Sequence, residues 1–315
     1  MSANIATRDA YGKALVDLGR QNRDIVVLDA DLSTSTKTAL FAKEFPDRFF
    51  NMGIAEQNLM GTAAGLAASG KIPFASTFAI FATGRAFEPI RNAIAYPKLN
   101  VKIAATHAGL TVGEDGASHQ CLEDIAVMRA VPNMTIMCPA DGVETEAVVR
   151  AAAAYKGPVY IRLGRAKVPM VYSEESCSFE WGKGITLREG SDVTIIATGI
   201  MVSMALEAAE DLVSGGISAR VIDMHTIKPI DRELIVKAAL ETGAVVTAEE
   251  HSVIGGLGSA VAEVLGETVP VPVIRVGVED TFGESGTAEE LLIKYGLTPG
   301  CIMQAAEKAV KIKLP

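Results

Sequence analysis

Two histidines and two carboxylates crowd one segment, IAATHAGLTVGEDGASHQCLED (103–124). His107 closes an apolar run, and Glu114, Asp115, His119 and Gln120 follow within a glycine-punctuated loop. Imidazoles and carboxylates on one loop can move protons, hold hydroxyls or bind a metal. The twelve-residue step from His107 to His119 is longer than compact zinc spacings, and no CxxC pair assists. This reading therefore assigns no metal ligands to the chain, and Glu114 is equally a capping carboxylate. A second segment, FFNMGIAEQNLMGTAAGLAASG (49–70), ends an apolar run at Gly53 and opens a helix at Glu56. The helix is rich in small residues, which let another backbone approach closely. An acid in a first helical turn is also what the macrodipole favours, so on position alone a solvated Glu56 is the better reading.

These residues need a scaffold, and the rest of the chain describes one. Apolar, β-branched runs at 25–30, 48–52, 72–76, 101–106, 134–138 and 159–163 alternate with helical patterns at 7–19, 55–68, 82–95, 122–131 and 142–155. Alternation of this kind predicts βαβ units and a parallel sheet covered by helices on both faces. Ligands bind at the carboxyl ends of strands in such sheets, where His107 falls. The pattern breaks over 166–190, a stretch with the only tryptophan, Trp181, which reads as an ordered linker. Alternation resumes with strands at 193–199, 219–224, 244–250 and 271–277 and helices at 202–213, 231–241, 257–266 and 287–295. The expected organisation is α/β in two domains, 1–165 and a smaller 191–315. Glu249 and Glu250 beside His251 fit an interface or plain surface.

Composition narrows the function. The 315 residues are 49% hydrophobic and 21% charged, a profile with enough apolar residues for large cores. The net charge of −9 argues against broad nucleic-acid or anionic-membrane binding, yet leaves room for a few local cations on a phosphorylated substrate. No apolar run approaches the roughly 18 residues of a membrane span, and the first residues lack a signal-peptide core. The four cysteines form no CxxC pair and read as reduced thiols of a cytoplasmic protein. There is no GxxxxGK[ST] loop, and the glycines of HSVIGGLGSA (251–260) read as a tight turn.

The ordered set GIAEQ (53–57), STFAIF (76–81), ATH (105–107), VGEDGASHQ (112–120) and RLGR (162–165) resembles the transketolase family of thiamine-diphosphate enzymes. The resemblance covers essentially the whole chain, 190–315 matching the family's C-terminal domain. It implies a thiamine-diphosphate-binding-type pyrimidine domain (1–165) followed by a transketolase C-terminal-type domain (191–315). It also implies that Glu56 is the catalytic carboxyl that hydrogen-bonds the cofactor's pyrimidine ring, and that Phe78 and Phe81 pack around that ring. Asp31 corresponds to the thiazolium end. Arg8, Ser35, His107 and Arg165 match contacts to the substrate phosphate, and Asp115 and His119 match contacts to substrate hydroxyls, His119 also facing the cofactor. Gly84 departs from the pattern, because the family often has a third aromatic there.

In complete transketolases an N-terminal domain binds the diphosphate and a divalent metal through a GDG motif. This chain has only EDG (114–116) and ADG (141–143). The resemblance is thus to the C-terminal section of a split transketolase. It implies a partner subunit that carries the diphosphate site and Mg2+ or Ca2+, an α2β2 assembly, and transfer of a two-carbon ketol unit from a ketose phosphate to an aldose phosphate. The alternatives are the β subunit of a 2-oxo acid dehydrogenase, a deoxyxylulose-phosphate synthase, or a non-catalytic regulatory subunit.

Overall fold

The computed structural model describes residues 4–173 and 175–313. Strands that are apolar along their whole length can lie buried on both faces, and they do so here. A seven-stranded sheet runs in the order Thr226–Lys228, Thr135–Met137, Val159–Arg162, Lys102–Thr106, Ile72–Phe78, Ile25–Asp29, Phe49–Asn51. Every pairing is parallel except that of Thr226–Lys228, which is antiparallel. One face packs Leu28 and Ile103 against Leu59 and Met60 of the helix Glu56–Ala68. The other packs Phe74 and Ile161 against Tyr11 and Leu15 of Thr7–Gln21 and Val148 of Gly142–Ala154.

A second, five-stranded sheet has the order Val273–Val278, Val245–Ser252, Val193–Ala197, Ala219–Asp223, Ile185–Arg188. Its first four strands are parallel and its last is antiparallel. That last strand lies inside the segment expected to be a linker. The aromatics of the same segment are docked: Trp181 stacks on Tyr155 at 4.2 Å and Phe179 on His225 at 4.6 Å between ring centroids.

Three further features depart from the sequence expectation. Thr226–Lys228 leaves the second half of the chain to become the edge strand of the first sheet. A helix, Pro299–Lys311, stands where no element was expected; it is capped by the Thr298 hydroxyl and begins with proline. The expected helix at 82–95 is interrupted, with wide π-type turns at Phe81–Arg85 and Ile90–Ala95 flanking Phe87–Pro89. Pro89 has no N–H to give the Arg85 carbonyl four residues earlier. That carbonyl instead accepts a hydrogen bond from Gln57 Nε2 at 3.2 Å.

The two sheets are joined by a buried polar network. Arg162 donates to Asp124 Oδ2 at 2.8 Å and to the Glu250 carbonyl at 2.9 Å, and Tyr160 also donates to Asp124 Oδ2. Glu249, Glu250 and His251 are all buried inside the chain, so they are not plain surface. Glu249 accepts the N–H groups of Leu257 and Gly258 and so caps the helix Leu257–Glu267. All four cysteines are free. Among the described residues no helix is long and apolar enough to cross a membrane.

Candidate active site

The carboxyl ends of the central parallel strands collect the residues singled out above, except those contributed by helices and by the loop past His107. The strand Ile25–Asp29 ends in the buried Asp29, whose carboxylate organises the loop beyond it. Asp29 accepts the Leu32 N–H at 2.5 Å and the hydroxyls of Thr36 and Thr38 at 2.7 and 2.9 Å. Burial pushes the Asp29 carboxyl above its ordinary range, while these three bonds pull it back down. The loop thus fixed carries Asp31 and Ser35. Asp31 sits in left-handed backbone (φ +63°) and accepts from Asn51 Nδ2 at 2.8 Å. A non-glycine residue in that conformation is held by its surroundings and is common at functional sites.

His107 follows the strand Lys102–Thr106, also in left-handed backbone (φ +57°). Its ring stacks on Phe78 at 3.8 Å, and Phe78 stacks on Phe81 at 5.9 Å. His119 meets the Phe81 ring edge-on at 5.4 Å. Arg8, from the helix Thr7–Gln21, places Nη1 3.1 Å from His107 Nε2 and 3.1 Å from the Ser35 carbonyl. A guanidinium only donates, so Nε2 is the acceptor and Nδ1 carries the proton toward Thr106 Oγ1 at 2.9 Å. Burial, with the nearby Arg8, Arg165, His119 and Lys37, lowers His107 to about 3, so the imidazole is neutral at physiological pH. Arg8 Nε is buried and has no hydrogen-bond partner among the described residues.

Glu56 opens its helix with a side chain only 7% exposed. It is not the solvated cap that position alone suggests. Its Oε1 lies 3.2 Å from Arg85 Nη1, and the Arg85 guanidinium stands over the Phe81 ring at 4.3 Å. The pair floors an open pocket of roughly 530 Å3 lined by Ala55, Glu56, Gln57, Asn58 and Arg85. Ile54, beside it, is 78% exposed.

The loop after His107 is held from the second domain. Thr111 N–H donates to Glu250 Oε1 at 2.6 Å, and Gln120 Nε2 donates to the Glu284 carbonyl at 2.9 Å. Gly109, at φ +82°, has no room for a side chain: a Cβ would lie 2.3 Å from the Glu250 carboxyl carbon. Arg165 Nη1 donates to the Val112 carbonyl and pairs with Glu114 at 3.2 Å, with Asp115 at 3.8 Å.

A chain of contacts therefore joins Arg85 to Glu56 and Phe81, Phe81 to Phe78 and His119, Phe78 to His107, His107 to Arg8, and Arg8 to Ser35. Asp31, Asp115 and Arg165 belong to neighbouring loops and, among the described residues, form no hydrogen bond, ion pair or ring contact with that chain. Ser35 joins it through its carbonyl. Sequence reasoning missed Asp29 and Arg85, and singled out Glu250 only as interface or plain surface. For Asp29 the available signal was an acid ending an apolar strand just before a run of serine and threonine.

Comparison with known proteins follows the same lines. Residues 3–170 match the family described as transketolase, pyrimidine binding domain, and residues 182–302 match transketolase, C-terminal domain. The chain belongs to the transketolase family. It is 58% identical, over 92% of each chain, to a protein of Methanocaldococcus jannaschii provisionally named a transketolase C-terminal section. It is 46% identical to the 6-deoxy-6-sulfo-D-fructose transketolase subunit of Clostridium sp. (strain MSTE9), covering 97% of this chain and 95% of that one. A split-gene transketolase solved as an inactive β4 tetramer superposes with a TM-score of 0.92 at 66% identity, over 98% of this chain and 100% of that one. The chain spans 47% of the Leishmania mexicana transketolase structure, at 27% identity and a TM-score of 0.85.

Proposed function

We propose that this transketolase-family chain is the C-terminal subunit of a split, cytoplasmic transketolase. It works with a partner chain that carries the diphosphate and divalent-metal site, Mg2+ or Ca2+, in an α2β2 assembly. The observation that carries the reading is the continuous cluster of a buried carboxyl, two stacked phenylalanines, a neutral histidine and a half-buried arginine at the carboxyl ends of the strands. The pyrimidine half of thiamine diphosphate fits it. A planar, hydrogen-bond-donating cation already lies against Phe81 and Glu56, so the acceptor and the ring face suit a flat donor. When bound, the cofactor supplies the nucleophilic carbon that accepts and releases the two-carbon unit.

This chain's residues then have distinct tasks. Glu56 accepts a hydrogen bond from the ring nitrogen and holds the proton there, in a setting shielded from water. Phe78 and Phe81 wall the ring and exclude solvent. Asp31 stands toward the thiazolium end. His107 stays neutral and offers no competing charge, while Arg8, with its spare buried Nε–H, and Arg165 attract the substrate phosphate. Asp115 and His119 meet the sugar hydroxyls. The open pocket at Glu56 and the exposed Ile54 support closure by a second chain. The relative solved as an inactive β4 tetramer supports a need for that chain.

The substrate class is an anionic ketose as donor and an aldose phosphate as acceptor; the family's usual pair is xylulose 5-phosphate and ribose 5-phosphate. Relatives named for 6-deoxy-6-sulfo-D-fructose and for apulose 4-phosphate support variation in the sugar with a constant anionic end. The test is to co-purify the partner, confirm that it contains GDG, and assay the pair. Ketol transfer between a ketose phosphate and an aldose phosphate is expected. Use of pyruvate as donor, with no transfer from ketose phosphates, would overturn the reading.

A further inference from the structure

Resting on that reading of Glu56, we infer that the Arg85 guanidinium stands in for the cofactor's aminopyrimidine ring in the free chain and must be displaced when the ring binds. A guanidinium is planar, cationic and forked, able to donate to a carboxylate while stacking on an aromatic face. An aminopyrimidine protonated on its ring nitrogen presents the same coplanar N–H donors and a π face. Arg85 makes both contacts at once, Nη1 to Glu56 Oε1 at 3.2 Å and its carbon 4.3 Å from the Phe81 centroid. The acceptor is buried and the donor is not: the Arg85 side chain is 57% exposed and the Glu56 side chain 7%. An exposed cation over a buried carboxyl is the geometry of a placeholder.

Local sequence puts the guanidinium there. At Gly84, where a third aromatic is common in the family, a Cβ would meet nothing nearer than Ile80 Cδ1 at 4.0 Å, so that side of the pocket is bare. The wide turn at Phe81–Arg85 and the missing N–H of Pro89 leave the Arg85 carbonyl to Gln57, one residue from Glu56. The backbone of Arg85 is thereby tied to the helix that bears its own partner. In the free chain the ion pair keeps a buried carboxylate from standing alone, which would be costly.

The proposal is tested on the full chain with 4-amino-5-hydroxymethyl-2-methylpyrimidine, a probe that lacks the diphosphate and so needs no partner. Calorimetric or ligand-observed NMR titration should show Arg85→Ala binding the probe about three- to tenfold more tightly than the unaltered chain, the scale of one exposed ion pair plus one exposed cation–π contact. Arg85→Lys, which keeps the charge and loses the plane, should fall between. Equal or weaker binding by Arg85→Ala would overturn the proposal and make Arg85 a wall of the pocket. Absence of saturable binding by that variant would also overturn it, because the vacated face would not accept the ring. Adding Glu56→Gln to Arg85→Ala separates the two readings. Loss of the gained affinity supports both. Retention of tight binding leaves Arg85 as the displaced occupant of the Phe81 face and removes Glu56 as the ring's acceptor.

Discussion

Gly109 is the point where the second domain meets the loop that carries Asp115 and His119, and Gly109→Ala should break that junction. Alanine at φ +82° is strained by ~1–2 kcal/mol. Its Cβ would fall within 2.3 Å of the buried Glu250 carboxyl, and forcing the two apart costs ~1–3 kcal/mol. The same displacement disturbs the Thr111 N–H bond to Glu250 Oε1, whose loss would leave a buried donor unpaired at roughly 1–3 kcal/mol. The total is about 3–8 kcal/mol. At ~2–4 °C per kcal/mol for domains of this size, the melting temperature should drop by roughly 6–32 °C. Calorimetry or circular dichroism of the full chain reads the drop, and amide exchange should accelerate along 110–120. The control is Glu250→Ala, which removes the clash and orphans Thr111. Its combination with Gly109→Ala should cost at least about 1 kcal/mol less than the sum of the two alone, because they act on one contact. A Gly109→Ala chain within about 1 kcal/mol of the parent, with unchanged exchange over 110–120, would refute the claim that Glu250 packs the loop in place.

Two further outcomes follow from the buried polar groups. Arg162→Met leaves the fully buried Asp124 with only Tyr160 as donor, and should destabilise the chain by ~3–5 kcal/mol in urea unfolding, much of it recovered by adding Asp124→Asn. His107 is held at about 3 in the folded chain against 6.5 unfolded, so the unfolded chain binds the extra proton and the contribution is lost as pH falls from 6.5 toward 3. Asp223, raised to about 7 by burial, acts in the opposite sense over much of that range, so the parent must be compared with His107→Gln. The stability difference between them should shrink by ~1.4 kcal/mol per pH unit between pH 6 and 4, and a constant difference would contradict the neutral, buried imidazole.

The parts of this protein legible in its sequence are those set by local pattern. Continuous apolar runs such as IVVLD cannot be half-solvated strands, so the two-sided sheet follows from them. A glycine-punctuated loop beginning at His107 could only turn back at a strand end. The rest depends on contacts between distant segments. Thr226–Lys228 reads as part of the second domain because nothing in three residues says which sheet edge they will join. Nothing in the local sequence marks Arg85; its place over Phe81 needs the wide turn and the carbonyl that Pro89, four residues on, leaves to Gln57. Lys102, a lone charge in an apolar strand, lies buried with Nζ bonded to Asn100, Tyr155 and Gly157, acceptors brought together only by the fold. The helix Pro299–Lys311 was within reach, since Thr298 followed by Pro299 is a helix-start signal with apolar positions at helical spacing behind it.

The central claim concerns one carboxyl group, and Glu56→Gln addresses it with almost no change in shape. The measurement is ketol-transfer turnover by the chain reconstituted with the proposed GDG-containing partner, alongside size-exclusion evidence that the assembly still forms. Turnover should fall on the order of 10²–10⁴-fold with assembly intact, the range for removal of a general acid–base group. Near-normal turnover by an intact Glu56→Gln assembly would contradict the account.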